Sequence, residues 1–208
     1  FITKHNTMVK KHGKKQTQPS KKMINKTEQR NSIRIALVGC VSSGKSTLLN
    51  SICVNQYEDM KRKRTTMLPS VYKGSNMNIY NNKSEVSRIQ AKNKEIYDKI
   101  YSTEAEVTLT NETCSLQEHI IPMIKGFVDF PDNVFIDIYD IPGLNDAKTK
   151  EVYFTWIRDN FHKFDIIINV VDINSALNTS DETDIINLIS DCIQKEKVEH
   201  SRDVFFLT

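Results

Sequence analysis

Several features are scarce in this 208-residue chain, and each shortage narrows what it can be. Its four cysteines, Cys40, Cys53, Cys114 and Cys192, form no CxxC pair and have no histidine at ligand spacing. Neither a zinc framework nor a disulfide scaffold is therefore expected, and the thiols are read as reduced, in a cytosol-like compartment. No segment approaches the roughly 18 uninterrupted apolar residues that a membrane span requires, and no signal-type apolar run opens the chain. No internal repeat is found. Hydrophobic residues reach 38% and charged residues 26%, enough for a packed core and against wholesale disorder.

The net charge of +3 is unevenly placed. Residues 1–30 hold nine Lys and Arg against one acid, Glu28, while the remainder holds 20 basic and 25 acidic residues. The basic stretch has almost no apolar side chains and cannot offset its ordering entropy by burial, so a disordered basic arm is expected over 1–30. A solubilising tail is the simpler use for it, and attraction to an anionic membrane or nucleic acid the alternative. The arm has no aromatic residue after Phe1 for base stacking, and no nucleic acid partner is expected.

The folded part is expected over 31–208. Ile33 to Val38 is a short apolar run of the kind a buried parallel strand shows. Leu48, Leu49 and Ile52 follow at helical spacing after a Gly-rich turn. Further strands are expected at Val134 to Asp140, Ile166 to Asp172 and Val204 to Leu207, and a less clear one at Glu106 to Thr110. Helices are expected at Ser84 to Tyr101, Glu151 to Phe164 and Asp181 to Gln194, the last with Ser180 as its N-cap. Alternating strands and helices predict an α/β domain with a mainly parallel sheet flanked by helices. The loop Gly39-Cys40-Val41-Ser42-Ser43-Gly44-Lys45-Ser46 between the first strand and helix makes the expected fold the three-layer P-loop NTPase fold.

The segment Gly39-Cys40-Val41-Ser42-Ser43-Gly44-Lys45-Ser46 satisfies GxxxxGK[ST] between a strand and a helix. Its glycines let successive backbone N–H groups face phosphates, and the helix N-terminus adds positive potential. Lys45 is expected to reach the β- and γ-phosphate oxygens, the Ser46 hydroxyl to ligate Mg²⁺, and Thr47 to complete the nucleotide contact. Asp140-Ile141-Pro142-Gly143 closes a strand at the rim where ligands bind in such sheets. There Asp140 is placed to hold Mg²⁺ and Gly143 to offer an N–H to a γ-phosphate. Thr65 and Thr66 lie in a polar, basic stretch where a threonine could close over Mg²⁺, Thr65 being the preferred ligand.

Ser42-Ser43-Gly44-Lys45-Ser46-Thr47-Leu48-Leu49-Asn50 resembles the P-loop of large GTPases of the dynamin superfamily. Thr65-Thr66-Met67-Leu68-Pro69 is similar to their first switch and Asp140-Ile141-Pro142-Gly143 to their second. Val171-Asp172 with Asn178-Thr179-Ser180-Asp181 is similar to the stretch after the next strand. The resemblance implies Mg²⁺-dependent binding and hydrolysis of GTP, with Ser42, Lys45 and Thr65 as catalytic residues and a monovalent cation near Ser42. It implies GTP and GDP as ligands, self-association through the G domain, and a cytoplasmic protein working at a membrane surface.

Two positions depart from the pattern. Dynamin-like loops often carry Gln where this chain has Val41, and small GTPases place Gln where it has Leu144, so no water-orienting side chain is evident. The guanine-reading [NT]KxD motif is absent, and a continuation beyond Thr208 is where it is expected. GTP over ATP thus rests on the resemblance. The alternatives are a nucleotide-dependent scaffold module with little turnover, and a P-loop ATPase, although neither an LSGGQ-like signature nor an apolar run ending in Asp-Glu is present.

Overall fold

A computed structural model of the chain describes residues 31–53, 56–57, 66–76, 83–101, 110, 114–122, 134–174 and 178–208. The basic arm and most of the strand expected at 106–110 lie outside the described residues. β1 (Asn31–Val38) leads through the glycine-bounded loop into α1 (Lys45–Ile52). β2 (Ser70–Ser75), α2 (Lys83–Tyr101) and β3 (Gln117–Pro122) follow, then β4 (Val134–Asp140) and α3 (Lys150–Asn160). A single 3-10 turn (Phe161–Lys163), β5 (Ile166–Asn169), α4 (Ser180–His200) and β6 (Phe205–Leu207) complete the described chain.

The strands form one six-stranded sheet in the order β3-β2-β4-β1-β5-β6. Every neighbouring pair is parallel except β2 with β4. Side chains alternate between the faces, as a period of two requires. Leu37, Tyr72 and Ile138 point to one face, where Leu49 and Cys53 of the α1 end and Ile89 of α2 cover them. Ala36, Val38, Val71, Tyr139 and Ile167 point to the other, covered by Tyr153, Phe154, Trp156 and Ile157 of α3 and by Ile185, Leu188, Ile189 and Cys192 of α4. Burying each of these large apolar side chains contributes about 1.5–3 kcal/mol, which holds the helices to the sheet. The result is the three-layer P-loop NTPase fold, with helices on both faces of a mainly parallel sheet. All four cysteines are free thiols.

Several element boundaries differ from the sequence reading. β2 and β3 were not read from the sequence. The helix expected over 151–164 stops at Asn160 and closes with the 3-10 turn. β5 ends at Asn169, not Asp172, because the chain at Val170 crosses the glycine loop: a Cβ on Gly39 would sit 2.3 Å from the Val170 carbonyl oxygen. The cap of α4 is Thr179, not Ser180. Its hydroxyl accepts from the Glu182 N–H while the Glu182 carboxylate accepts from the Thr179 N–H, a reciprocal capping box. α4 also runs on to His200, beyond the last apolar residue of its stripe.

Candidate functional site

The C-terminal ends of β1 and β4 meet side by side, with Leu37 paired to Asp140. The loop after β1 and the segment after β4 therefore start as neighbours. Gly39 has φ 145°, and any Cβ there would collide with the Val170 carbonyl, so only glycine fits. Ser42, exposed, adopts φ 63°, and Gly44 (φ 102°) forms the N-cap of α1. Gly44 supplies no capping side chain, and the first turn of α1 contains no acid. The positive end of this helix is thus uncompensated by its own residues and suits an anion.

Lys45 is buried, and its Nζ donates to the carbonyls of Gly39 (3.1 Å) and Cys40 (2.7 Å), holding the ammonium under the loop. The Ser43 hydroxyl oxygen is buried with no hydrogen-bond partner among the described residues. Ser46 is half-buried and Thr47 exposed in the first turn of α1. Burial pushes the Cys40 thiol up, aided by the Glu182 and Asp181 carboxylates, so the loop cysteine is a neutral thiol.

Asp140 is fully buried. Its Oδ2 accepts from the Thr66 hydroxyl at 2.7 Å, while Oδ1 has no hydrogen-bond partner among the described residues. Burial pushes its carboxyl up to about 6, against the opposing pull of the Lys45 charge and the Thr66 hydrogen bond. Thr66 is itself buried, and its neighbour is clamped: Met67 N–H donates to the Asn93 carboxamide, and the Tyr153 hydroxyl donates to the Met67 carbonyl at 2.8 Å. Thr65 lies outside the described residues.

The segment after β4 lies directly on the loop. Ile141 N–H donates to Leu37 O and Leu144 N–H to Gly39 O, both at 3.2 Å. Val41 N–H donates to the Asn145 carboxamide oxygen at 2.7 Å. Gly143 is pressed so close that a Cβ would fall 2.4 Å from Val41 Cγ2 and 2.6 Å from its Cα. Leu144 is fully buried. Asn145 was not singled out in the sequence, and no local pattern marks it. Its significance arises from a contact 104 residues away.

Of the sequence candidates, the structure gathers Gly39 to Thr47, Thr66, Asp140 and Gly143 at one rim of the sheet. The donors here would suit a hard divalent cation: a buried carboxylate oxygen without a hydrogen bond among the described residues, with hydroxyls on Ser46 and Thr66. Among the described residues no three His, Cys, Asp or Glu side chains cluster as a transition-metal site would require. No helix among them is long and apolar enough to cross a membrane.

A model of the Dynamin family matches residues 35–195. The chain belongs to the dynamin family. Nucleotide binding and GTP hydrolysis are properties of this family, with GTP and GDP as the nucleotides. An uncharacterized protein of Acanthamoeba polyphaga mimivirus is 31% identical to this dynamin relative over 147 residues, covering 68% of the chain and 24% of that protein. The chain thus spans about a quarter of the length of that curated relative. Among solved structures, one from a bacterial dynamin pair described in long-range sensing and tethering of membranes is 19% identical with a TM-score of 0.43. The match covers 82% of this chain and 26% of that one. An Aquifex aeolicus Era protein bound to GDP and aluminium fluoride is 14% identical with a TM-score of 0.34, over 85% of this chain and 50% of that one.

Proposed function

We propose that residues 31–208 form the nucleotide-binding part of a G domain that hydrolyses GTP with Mg²⁺, residues 1–30 being a basic arm that precedes it. The observation that carries this reading is the fully buried Asp140, one oxygen held by Thr66 and the other without a hydrogen-bond partner among the described residues, beside a GxxxxGKS loop. An orphaned carboxylate oxygen is expensive unless a cation comes to it.

In this reading the loop amides from Ser42 to Ser46 and the N-terminus of α1 hold the α- and β-phosphates. Lys45 exchanges its two carbonyl acceptors for β- and γ-phosphate oxygens. Ser46, Asp140 and a switch threonine hold Mg²⁺, which would supply neutralisation of the charge that develops on the β- and γ-phosphate oxygens. Thr66 is the described threonine at Asp140, so it shares the switch role first assigned to Thr65. Ser42 stands at the loop's turn, where its hydroxyl or a monovalent cation beside it would face charge developing between the phosphates. The Gly143 N–H meets the γ-phosphate and couples its presence to the second switch. Self-association through the G domain and work at a membrane surface, as a cytoplasmic and peripheral protein, belong to the same proposal as the family's usual mode of action.

Calorimetry on the full-length protein with GTP and ATP in the presence of Mg²⁺ tests it. GTP is expected to bind at least about tenfold more tightly than ATP, or roughly 1.4 kcal/mol. Lys45→Ala and chelation of Mg²⁺ should each abolish the difference. An ATP preference would overturn the assignment. A second reading, a nucleotide-dependent scaffold with little turnover, is favoured by the apolar side chains at Val41 and at the buried Leu144. Tight GTP binding with no release of phosphate, with or without anionic liposomes, would select it.

A further inference from the structure

A hydrolytic site needs a group that accepts a hydrogen bond from the attacking water and fixes its direction, and the side chains of Val41 and Leu144 cannot do so. One carboxamide nevertheless reaches the loop. Asn145 Oδ1 accepts the Val41 N–H at 2.7 Å, although the residues are 104 apart in sequence. The backbone that delivers it is anchored on both sides. Leu144 N–H donates to Gly39 O, the Leu144 side chain is fully buried, and Gly143 lies so close to Val41 that no larger residue fits.

We propose that Asn145 positions the attacking water in this chain, an inference that rests on the GTPase reading above. The chemistry of the group suits the task. A carboxamide oxygen has two lone pairs, and the Val41 N–H occupies one, which leaves the other to accept from water. The Nδ2 amide has no hydrogen-bond partner among the described residues, and Asn145 is exposed, so two donors face solvent at the loop. Such a group offers an acceptor to the water and a donor to a phosphate oxygen at once. Its rotamer is held by the bond to the loop, not by an expendable contact with solvent, so little ordering entropy remains to be lost in the reaction. The carboxamide that position 41 lacks is thereby supplied from the second switch and docked on position 41 through the backbone.

The test measures GTP affinity and single-turnover hydrolysis of the whole chain with Mg²⁺, for the native protein, Asn145→Ala, and the double variant Val41→Gln with Asn145→Ala. Asn145→Ala should leave GTP affinity within about twofold and slow turnover on the order of 100-fold, the scale of a lost positioning contact. Placing a carboxamide at position 41 in that background should restore turnover at least in part, which a purely structural role for Asn145 would not allow. Unchanged turnover in Asn145→Ala would overturn the proposal. So would affinity and turnover falling together without rescue, because Asn145 would then only shape the loop. A native chain that binds GTP without hydrolysing it would also overturn it while leaving the nucleotide site intact. A native chain that binds no GTP would instead sink the GTPase reading itself.

Discussion

Replacing Gly143 by alanine puts the packing of the second switch on the loop to a direct test. The added Cβ would lie 2.4 Å from Val41 Cγ2 and 2.6 Å from both Cα and N of Val41. Ordinary carbon contacts begin at about 3.5 Å, so the two segments must separate by about an ångström. A side-chain rotation at Val41 relieves only the first clash, because the other two involve backbone. If the segments part, the Leu144 N–H bond to Gly39 O and the Val41 N–H bond to Asn145 are lost, at about 1 kcal/mol each. If they stay, overpacking strain costs about 1–3 kcal/mol. Either route predicts a destabilisation of about 2 kcal/mol, or a fall in melting temperature of about 4–8 °C for a chain of this size. Thermal unfolding followed by far-UV circular dichroism measures it, with Val41→Ala plus Gly143→Ala as companion. The companion should recover less than half of the loss. A Gly143→Ala melt within about 1 °C of the native chain would refute the contact, and full recovery in the double variant would refute the backbone part of the reasoning.

Thr66→Val keeps the shape of the side chain but removes the donor to Asp140, leaving both carboxylate oxygens buried without a described partner. A loss of about 1–3 kcal/mol in urea unfolding is expected, with Thr66→Ser close to native, and equal stability of the two variants would count against the pairing. His119, on β3, is buried against the Tyr72 ring and lies 3.1 Å from an Arg88 nitrogen and 3.2 Å from a Glu85 oxygen. Burial chiefly, and the Arg88 charge to a lesser extent, hold its pKa below the ordinary 6.5, although Glu85 pulls the other way. The unfolded chain therefore takes up this proton first, so the stability His119 contributes is present above pH ~6.5 and is lost as pH falls through the lower folded value. His119→Phe should flatten the fall in melting temperature between pH 7 and 5, and an unchanged slope would exclude His119 as its source.

Much of the fold was legible because its signals are local. β4 follows the alternation of Val134 to Asp140 residue for residue, and the stripe of Val86, Ile89, Ile96 and Ile100 placed α2 within one residue of its start. The cap of α4 was read one residue late, at Ser180, although Glu182 stands at the capping-box spacing from Thr179. β2 was not legible. Its sequence, Ser-Val-Tyr-Lys-Gly-Ser, has a central Lys and a Gly and becomes a strand because β4 and β3 pair with its two edges. The far end of α4 lacks an apolar stripe, and buried Glu196 is held there by Arg202 at 3.0 Å, a tertiary contact.

By itself the sequence determined the strand, glycine-bounded loop and helix that run from Ile33 to Ile52, and with them the family. Eight consecutive residues carry that geometry, and a chain need not fold globally to bring neighbours in sequence together. Tertiary structure alone decided what faces the loop. Thr66 meets Asp140 across 74 residues, and Asn145 meets Val41 across 104. No periodicity encodes such contacts. They exist because β1 and β4 pair in parallel and in register, Leu37 against Asp140, so that the segments leaving both strands emerge at the same rim of one sheet.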